Sequence, residues 1–468
     1  MLFNSVDFFI FYIIVSFLYF VSPHRFRWLL LLIASCYFYM YFVPIYIVIL
    51  AVTIVIDYFA GIYLTKLQGN KRKWLLFLSI FANLGILITF KYYNFFVGNL
   101  NHLFAAGSFN YQFSFLSILL PIGLSFHTFQ AMSYTIEVYR GNQQPEKHFG
   151  IYALYVMFYP QLVAGPIERP QHMLHQFHEK KYFNQQNLSE GLKLMLWGYF
   201  KKVVVADRLA VYVGTTFENY INQTGSTLML SVFFFTIQIY CDFSGYSDIA
   251  IGSAKTMGFD LMTNFRQPYL AVNINDFWRR WHISLSTWFR DYVYIPLGGN
   301  KGSALKRFRN RMAVFLLSGL WHGANWTFII WGLLHGLFSG AQKTFSPATK
   351  GRQSFIRNLP SILFTFFIVS FTWIFFRSTS IKQALGMIKK IGNGITDPVF
   401  IKTPTWMFIS LLSIGVVMTN DFLAEYSLSI RLLHNKLFVV RCAATVLLVI
   451  IILLFGIFNT SSFIYFQF

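Results

Sequence analysis

Two histidines in or beside apolar sequence are the residues of this chain best suited to carry out chemistry. His322 lies in the run Leu320-Trp321-His322-Gly323-Ala324-Asn325-Trp326, within an apolar segment long enough to cross a membrane. His282 closes the basic and aromatic run Phe277-Trp278-Arg279-Arg280-Trp281-His282. An ionisable side chain is costly to place in hydrocarbon, so its presence indicates a function or a dedicated partner. His322 is therefore either an acid–base group or a core histidine that its neighbours satisfy.

Small residues at helical spacing surround His322. Two small-xxx-small pairs are present, Gly319 with Gly323 and Gly332 with Gly336. Such pairs let two membrane helices approach closely, because no side chain keeps the backbones apart. We therefore expect His322 to be buried among helices.

Polar neighbours on the same helical face could set the protonation pattern of the His322 ring. Ser318 precedes His322 by four residues, and Asn325 and Trp326 follow it by three and four. If the helix continues, Ser318 or Asn325 is predicted to fix the imidazole tautomer. His335, thirteen residues further on, points to a different face, and we interpret it as structural.

The segment from Asn275 to Pro296 is predicted to be one helix, with Asn275 or Asp276 as its N-cap. Its aromatic face consists of Trp278, Trp281, Leu285, Trp288, Phe289 and Tyr292, and its polar face of Arg279, His282, Ser286 and Arg290. One interpretation is an interfacial helix with arginines at the level of the lipid headgroups. The other is a phosphate site formed by Arg279, Arg280 and Arg290, because guanidinium groups suit bidentate phosphate contacts.

Three further segments break the apolar pattern. The first, 121–130, starts with a proline and holds buried-type polar residues, which predicts a kinked helix with polar contacts to its neighbours. The second, 159–170, holds three prolines and cannot be a regular helix, so it must be buried in protein or line a cavity. In the third, 238–248, Asp242 and Asp248 fall on different helical faces, which favours capping or a salt bridge to an arginine over a catalytic carboxylate pair.

Composition places the chain among polytopic all-α membrane proteins. Apolar residues make up 56% of the chain and aromatic residues 20%, which exceeds what a soluble surface tolerates. The formal net charge of +21 would indicate nucleic acid as the partner of a soluble protein, but the positive-inside rule explains most of it here. The basic residues cluster in short predicted loops, at His24–Arg27, Lys66–Lys73, Lys180 and Lys181, Lys201 and Lys202, and Lys301–Arg311.

Apolar periodicity predicts roughly 11–13 transmembrane or re-entrant helices in one membrane domain, residues 1–468. The predicted spans are 6–22, 28–43, 45–65, 74–90, 113–136, 150–164, 191–214, 227–241, 244–257, 311–340, 358–376, 404–422 and 438–458. The charged loops favour an N-terminus on the outer side of the membrane, with the first apolar run kept as a span. Three cysteines without metal-ligand spacing, Cys36, Cys241 and Cys442, predict neither disulfides nor a metal site.

Several motifs in order resemble those of membrane-bound O-acyltransferases (MBOAT), most closely the bacterial alginate O-acetylation (AlgI-type) branch. The motifs are Gln267-Pro268-Tyr269-Leu270, the run from Asn275 to Ser286, Trp288, Arg290-Asp291-Tyr292 and Gly319-Leu320-Trp321-His322-Gly323. Residues 121–130, 160–166 and 242–248 resemble further motifs of that branch, so the likeness extends over about residues 1–460.

The resemblance implies the MBOAT fold, a set of spans around a central tunnel, with the catalytic core at about 120–340. It places His322 at the catalytic histidine position and His282 at the second motif histidine. Arg279, Arg280, Arg290 and Trp281 then become candidates for binding the acyl donor, with Asn325 and Ser318 beside His322. The implied mechanism has His322 as general base, with no metal and no tightly bound cofactor.

The implied function is transfer of an acetyl group from cytoplasmic acetyl-CoA across a bacterial inner membrane to an extracytoplasmic polysaccharide. Alginate, peptidoglycan and other exopolysaccharides are the acceptors that the resemblance allows, and the implied partner is an SGNH-type esterase or transferase outside the membrane. Membrane lipids are the other predicted partner, and nucleic acid is not expected. Two alternatives stay open: transfer of D-alanyl or a longer acyl group, and a proton-coupled transporter with a histidine relay.

Overall fold

The computed structural model describes residues 1–109, 111–117, 120–163, 165–345, 355–426, 432–458 and 463–464, and within these ranges the chain is helical without a β-strand. The helices are α1 (Val6–Val21), α2 (His24–Met40), α3 (Ile47–Leu64), α4 (Gly69–Leu87), α5 (Tyr93–Ala106), α6 (Leu124–Arg140), α7 (Phe149–Met157), α8 (Tyr159–Leu162), α9 (Pro170–His178), α10 (Gln185–Tyr199), α11 (Asp207–Glu218), α12 (Gly225–Thr256), α13 (Ile274–Arg280), α14 (Ile283–Phe289), α15 (Ala304–His322), α16 (Trp326–Phe345), α17 (Phe355–Arg377), α18 (Ile381–Asn393), α19 (Pro404–Glu425) and α20 (Phe438–Phe455). The predicted all-α class is confirmed.

Among the described residues, six helical stretches are long and apolar enough to cross a membrane. They are Pro44–Leu64, Gly69–Ala106, Gly225–Thr256, Phe355–Arg377, Pro404–Glu425 and Phe438–Phe455. Two shorter apolar helices, Val6–Val21 and Trp326–Ala341, accompany them. Their length and hydropathy agree with the predicted polytopic membrane protein.

Two predicted span boundaries are wrong for identifiable reasons. The spans 227–241 and 244–257 form one helix, α12, because the carboxylates read as a break are paired with lysines inside the protein. The span 311–340 is two helices, α15 and α16, which separate at Gly323.

The polar segment 121–130 does not form a proline-kinked helix. Helix α6 begins only at Leu124, after Gly123, whose φ of +78° lies in the left-handed region that glycine adopts without strain. Pro121 therefore precedes the helix. The triple-proline segment agrees with its prediction, because the backbone is irregular over residues 165–169, ahead of Pro170, where α9 begins.

The first compact unit consists of Met1–Leu192 together with Ala250–Met262. Helix α6 packs against α3 and α4 in this unit. A β-carbon at Gly61 of α3 would lie 2.6 Å from the Tyr134 hydroxyl oxygen, so the absence of a side chain there is what allows α3 and α6 to touch. The buried Asp57 carboxylate accepts hydrogen bonds from Ser79 at 2.6 Å and Asn83 at 2.8 Å, which joins α3 to α4.

The second unit consists of Lys193–Ile249 together with Thr263–Phe468. Its α15 and α16 pack closely through the predicted glycines. A β-carbon at Gly319 would collide with the Phe328 carbonyl oxygen, and one at Gly332 with the Phe315 carbonyl oxygen. The predicted close approach of two helices is confirmed.

Three stretches of the described chain wind as π-helix, which is wider than an α-helix and rare. They are Ile88–Tyr92, Phe200–Ala206 and Arg290–Tyr294. The stretch Phe200–Ala206 buries Lys201 and Lys202, so the prediction that these lysines lie in a loop is wrong.

Candidate active site

His322 is the last residue of α15 and is 3% exposed. Aromatic rings surround its imidazole, with centroids of Trp321 at 5.0 Å, Trp331 at 5.1 Å and Phe376 at 5.3 Å. Trp331 comes from α16 and Phe376 from α17. The predicted burial of His322 among helices is confirmed.

His282 lies at a break between two short helices and is fully buried. Its φ of +42° and ψ of +56° place it in the left-handed region, so the prediction of one continuous helix from Asn275 to Pro296 is wrong. The N-cap is also different: Asn273 accepts the backbone N–H of Asp276, ahead of the predicted position.

Backbone hydrogen bonds from a distant segment compensate for this break. The Asn264 carbonyl accepts the Ile283 N–H at 2.9 Å, and the Arg280 carbonyl accepts the Arg266 N–H at 2.9 Å. Helix geometry would have supplied both groups with partners if the helix had continued. Residues 264–266 therefore hold the chain in its bent form at His282.

The Trp321 indole connects the two histidines. Its ring centroid lies 5.0 Å from that of His322 and 6.1 Å from that of His282. The Phe243 ring also packs on His282, with the two centroids 4.6 Å apart and the ring planes nearly perpendicular. The fold thus brings together two histidines that are forty residues apart in sequence, in an apolar and aromatic environment.

The three arginines predicted to bind the acyl donor differ in their exposure and in their partners. Arg279 and Arg290 are exposed, and Arg290 bonds to Asp291 at 2.7 Å. Arg280 pairs with both oxygens of Glu425, at 2.7 and 3.1 Å, and with Asp276 at 3.0 Å. Its guanidinium group therefore holds α13 to α19.

Trp281 is buried in the core, stacked on Phe277 with a centroid separation of 5.4 Å. It therefore supports the bend beside His282 and does not lie on a helix face open to a ligand.

Ser318 and Asn325 differ in their relation to His322. Ser318 is buried one turn before His322 on α15. Asn325 lies beyond the end of that helix, so it is not on the predicted helical face. Its amide nitrogen donates to the Thr379 carbonyl at 2.9 Å, and its oxygen accepts the Thr327 N–H at 3.0 Å. Asn325 therefore joins the turn between α15 and α16 to the end of α17.

Both histidines lie within the part of the chain that a family model matches. The model of the membrane-bound O-acyltransferase family matches residues 147–379. The peptidoglycan O-acetyltransferase of Helicobacter pylori is 37% identical over 85% of this chain and 81% of its own length. The chain belongs to the membrane-bound O-acyltransferase family. This protein is therefore an acyltransferase, and the transporter alternative loses its support.

Two further relatives differ in the names they carry. The probable alginate O-acetylase AlgI of Pseudomonas aeruginosa is 40% identical over 82% of this chain and 73% of its own length. The teichoic acid D-alanyltransferase of Bacillus subtilis is 28% identical over 54% of this chain and 68% of its own length. The O-acetyltransferases therefore align with more of the chain, and at higher identity, than this D-alanyltransferase.

A buried ionic cluster in this acyltransferase was only partly predicted. Lys202 Nζ lies 2.6 Å from Asp242 Oδ1 and 2.9 Å from Asp207 Oδ1. Lys201 Nζ lies 2.7 Å from Asp248 Oδ2. Of the two predicted roles for the α12 carboxylates, capping or a salt bridge to an arginine, the structure shows salt bridges, and the partners are lysines of the π-helical stretch.

Two more polar features of the acyltransferase add to this description. His127 of α6 is buried in the first unit. His335 is buried in the second unit, where Trp278 Nε1 donates to its Nδ1 at 3.2 Å and Thr372 Oγ1 lies 2.9 Å from its Nε2. These contacts agree with a structural role for His335.

Proposed function

We propose that this acyltransferase moves acetyl groups from cytoplasmic acetyl-CoA across the membrane for O-acetylation of an extracytoplasmic polysaccharide. The observation that carries the proposal is the placement of His322 and His282 against the Trp321 ring, within the residues that the family model matches. The named O-acetyltransferase relatives support acetyl as the group transferred.

The proposed chemistry uses His322 as the general base. Its neutral imidazole takes the proton of an acceptor hydroxyl while the hydroxyl oxygen attacks the thioester carbonyl carbon. A carbon–oxygen bond forms, the carbon–sulfur bond breaks, and the departing CoA thiolate takes the proton back from the imidazolium. The aromatic rings around His322 keep water away, which protects the thioester from hydrolysis.

The donor phosphates would contact the exposed arginines in this proposal. Arg279 and Arg290 are exposed, whereas Arg280 is occupied by two carboxylates. The double variant Arg279→Gln/Arg290→Gln should raise the KM for acetyl-CoA several-fold and leave kcat nearly unchanged. An unchanged KM would remove both arginines from donor binding.

The test of the base is transfer of labelled acetyl from acetyl-CoA by purified protein in lipid vesicles, with the label followed to the opposite side. His322→Ala should lower the rate by about 100- to 10,000-fold, the usual contribution of a general base. His335→Gln is the matched control, since it removes a buried imidazole of the same unit but can still bond to Thr372. Wild-type rates in His322→Ala would exclude His322 as the base.

The acceptor side of the proposal includes a partner. An SGNH-type transferase outside the membrane would complete transfer to peptidoglycan, alginate or another exopolysaccharide. Co-expression with such a partner should yield alkali-labile acetyl on the polymer, and loss of the partner should stop polymer acetylation but not CoA release. Preferred use of long-chain acyl-CoA, or incorporation of D-alanyl into the polymer, would show that the transferred group is not acetyl and would favour the alternative function.

For topology, we propose the bacterial inner membrane with the N-terminus outside. Arg72 donates to the Tyr139 carbonyl, so the basic loops 66–73 and 140–148 lie at the same end of α4 and α6. The positive-inside rule places that end in the cytoplasm. A reporter enzyme that is active only in the periplasm should be inactive when inserted at residue 143, and activity there would reverse the orientation.

A further inference from the structure

Asn264 contacts the second histidine directly. Its side chain is fully buried, and its Oδ1 lies 2.9 Å from His282 Nδ1 and 3.0 Å from Ser284 Oγ. Its amide nitrogen donates to Ser247 Oγ at 3.2 Å. Asn264 therefore joins α12 to the break between α13 and α14.

The Ser284 backbone N–H determines the orientation of the Asn264 amide, because an N–H group can only donate a hydrogen bond. The Ser284 backbone N–H points to the Asn264 side-chain oxygen at 3.4 Å. A flipped amide would place its NH₂ group against that N–H, and two donors would face each other. The oxygen is therefore the atom beside His282, so the His282 Nδ1 must carry the proton in this bond.

A proton on Nδ1 also determines the role that the other ring nitrogen, Nε2, can take. A neutral imidazole protonated at Nδ1 carries its lone pair at Nε2. Nε2 can then accept a hydrogen bond or a proton, but it cannot donate to the oxyanion of a tetrahedral intermediate. A neutral amide partner stabilises an imidazolium less than a carboxylate does, because the amide carries no negative charge.

The arrangement is held by main-chain as well as side-chain bonds. The Asn264 carbonyl accepts the Ile283 N–H at 2.9 Å, next to the left-handed backbone of His282. The Phe243 and Trp321 rings both pack against the imidazole, which limits its rotation. Both residues of the Asn264–His282 pair are thus fixed before a substrate binds.

We propose that Asn264 is a positioning residue that holds His282 as the Nδ1–H tautomer, so that His282 serves acyl transfer as an acceptor through Nε2. The inference rests on the proposed function of the two histidines. It decides between two roles for His282, because the bonding pattern favours proton acceptance over stabilisation of an oxyanion.

The direct test does not depend on activity. Nitrogen-15 NMR of histidine-labelled protein in lipid bilayers, compared with the variant His282→Asn, isolates the signals of the His282 ring. The protonated nitrogen should be Nδ1 in wild type, and the preference should be reduced in Asn264→Ala. A His282 ring protonated at Nε2 in wild type would overturn the inference.

Kinetics of CoA release from acetyl-CoA provide a second test. Asn264→Ala should lower kcat by at least about 10-fold and by no more than the about 100- to 10,000-fold that acid–base catalysis contributes, and it should leave the KM for acetyl-CoA nearly unchanged. Asn264→Asp should retain much of the rate, since a carboxylate also accepts the Nδ1–H. It should move the acidic limb of the pH profile to higher pH, because the carboxylate stabilises the imidazolium.

The matched control is Asn310→Ala. Asn310 is equally buried and donates two hydrogen bonds, to the carbonyls of Leu297 and Gly299. Equal losses of kcat in Asn264→Ala and Asn310→Ala, with no pH shift in Asn264→Asp, would reduce Asn264 to a structural residue. Full activity of His282→Asn would instead refute the proposed role of His282, whatever tautomer the spectra show.

Discussion

Replacing Lys202 with methionine should destabilise the protein far more than its single charge suggests. The side chain is 1% exposed, and its Nζ lies between Asp207 and Asp242, which are 3% and 4% exposed. Removing one partner of a buried ion pair costs about 3–5 kcal/mol, because the remaining charge has no compensation. Since 1.4 kcal/mol is a factor of ten, the unfolding equilibrium should shift by more than about 100-fold.

The assay is unfolding in mixed detergent micelles, followed by tryptophan fluorescence as the denaturing detergent is increased. Lys255→Met is the control, because the pair of Lys255 with Glu190 is 38% and 33% exposed and is worth only about 0–1 kcal/mol. The triple variant Lys202→Met/Asp207→Asn/Asp242→Asn should recover most of the loss, since no buried charge is then left unpaired. If Lys202→Met is no less stable than Lys255→Met, or the triple variant is as unstable as Lys202→Met, the reasoning about burial fails.

Three further predictions concern packing, pH and charge geometry. Gly332→Ala should lower the free energy of unfolding by about 1–3 kcal/mol, because the new β-carbon meets a backbone carbonyl. Gly214→Ala, in open space on α11, should change the free energy of unfolding by under about 1 kcal/mol. Equal melting temperatures of the two variants would contradict this. The hydrogen bond to Glu168 raises the pKa of His172. The stability difference between wild type and His172→Gln should therefore be largest below about pH 6.5 and disappear as the pH rises through the raised pKa. A stability difference that grows with pH would contradict this. Arg280→Lys should cost about 1.5–3 kcal/mol in the same unfolding assay, because an ammonium group cannot make the bidentate contact; an unchanged midpoint would show that the pair is not stabilising.

The burial of His322 can be predicted from residues close to it in the sequence. Its glycines recur at the spacing of one helix face, and the close contact that they predict occurs between α15 and α16. Period and composition also identify the long spans, because a membrane requires about 20 apolar residues per helix. These features depend only on residues that are near one another in the chain.

The parts that could not be predicted depend on contacts between distant residues. The helical period runs unbroken through His282, without glycine or proline, and the break there is stabilised by Asn264, eighteen residues earlier. Lys201 and Lys202 look like a basic loop, because their carboxylate partners lie on another helix. The sequence predicts the wrong face for Asn325, because Gly323 is its one signal that α15 ends at His322.

The π-helical turn at Phe200–Ala206 makes this protein sensitive to chain length as well as to side-chain identity. A π-helical turn accommodates one more residue than an α-helical turn does, so deleting a single residue from 200–206 would allow α-helical winding to resume. Each residue of an α-helix advances by about 100°, so such a deletion would rotate the lysines away from the carboxylates of α12. A one-residue deletion in this stretch should therefore be more damaging than replacement of its apolar residues by others of similar size, and homologous chains should vary there in composition while keeping the same number of residues.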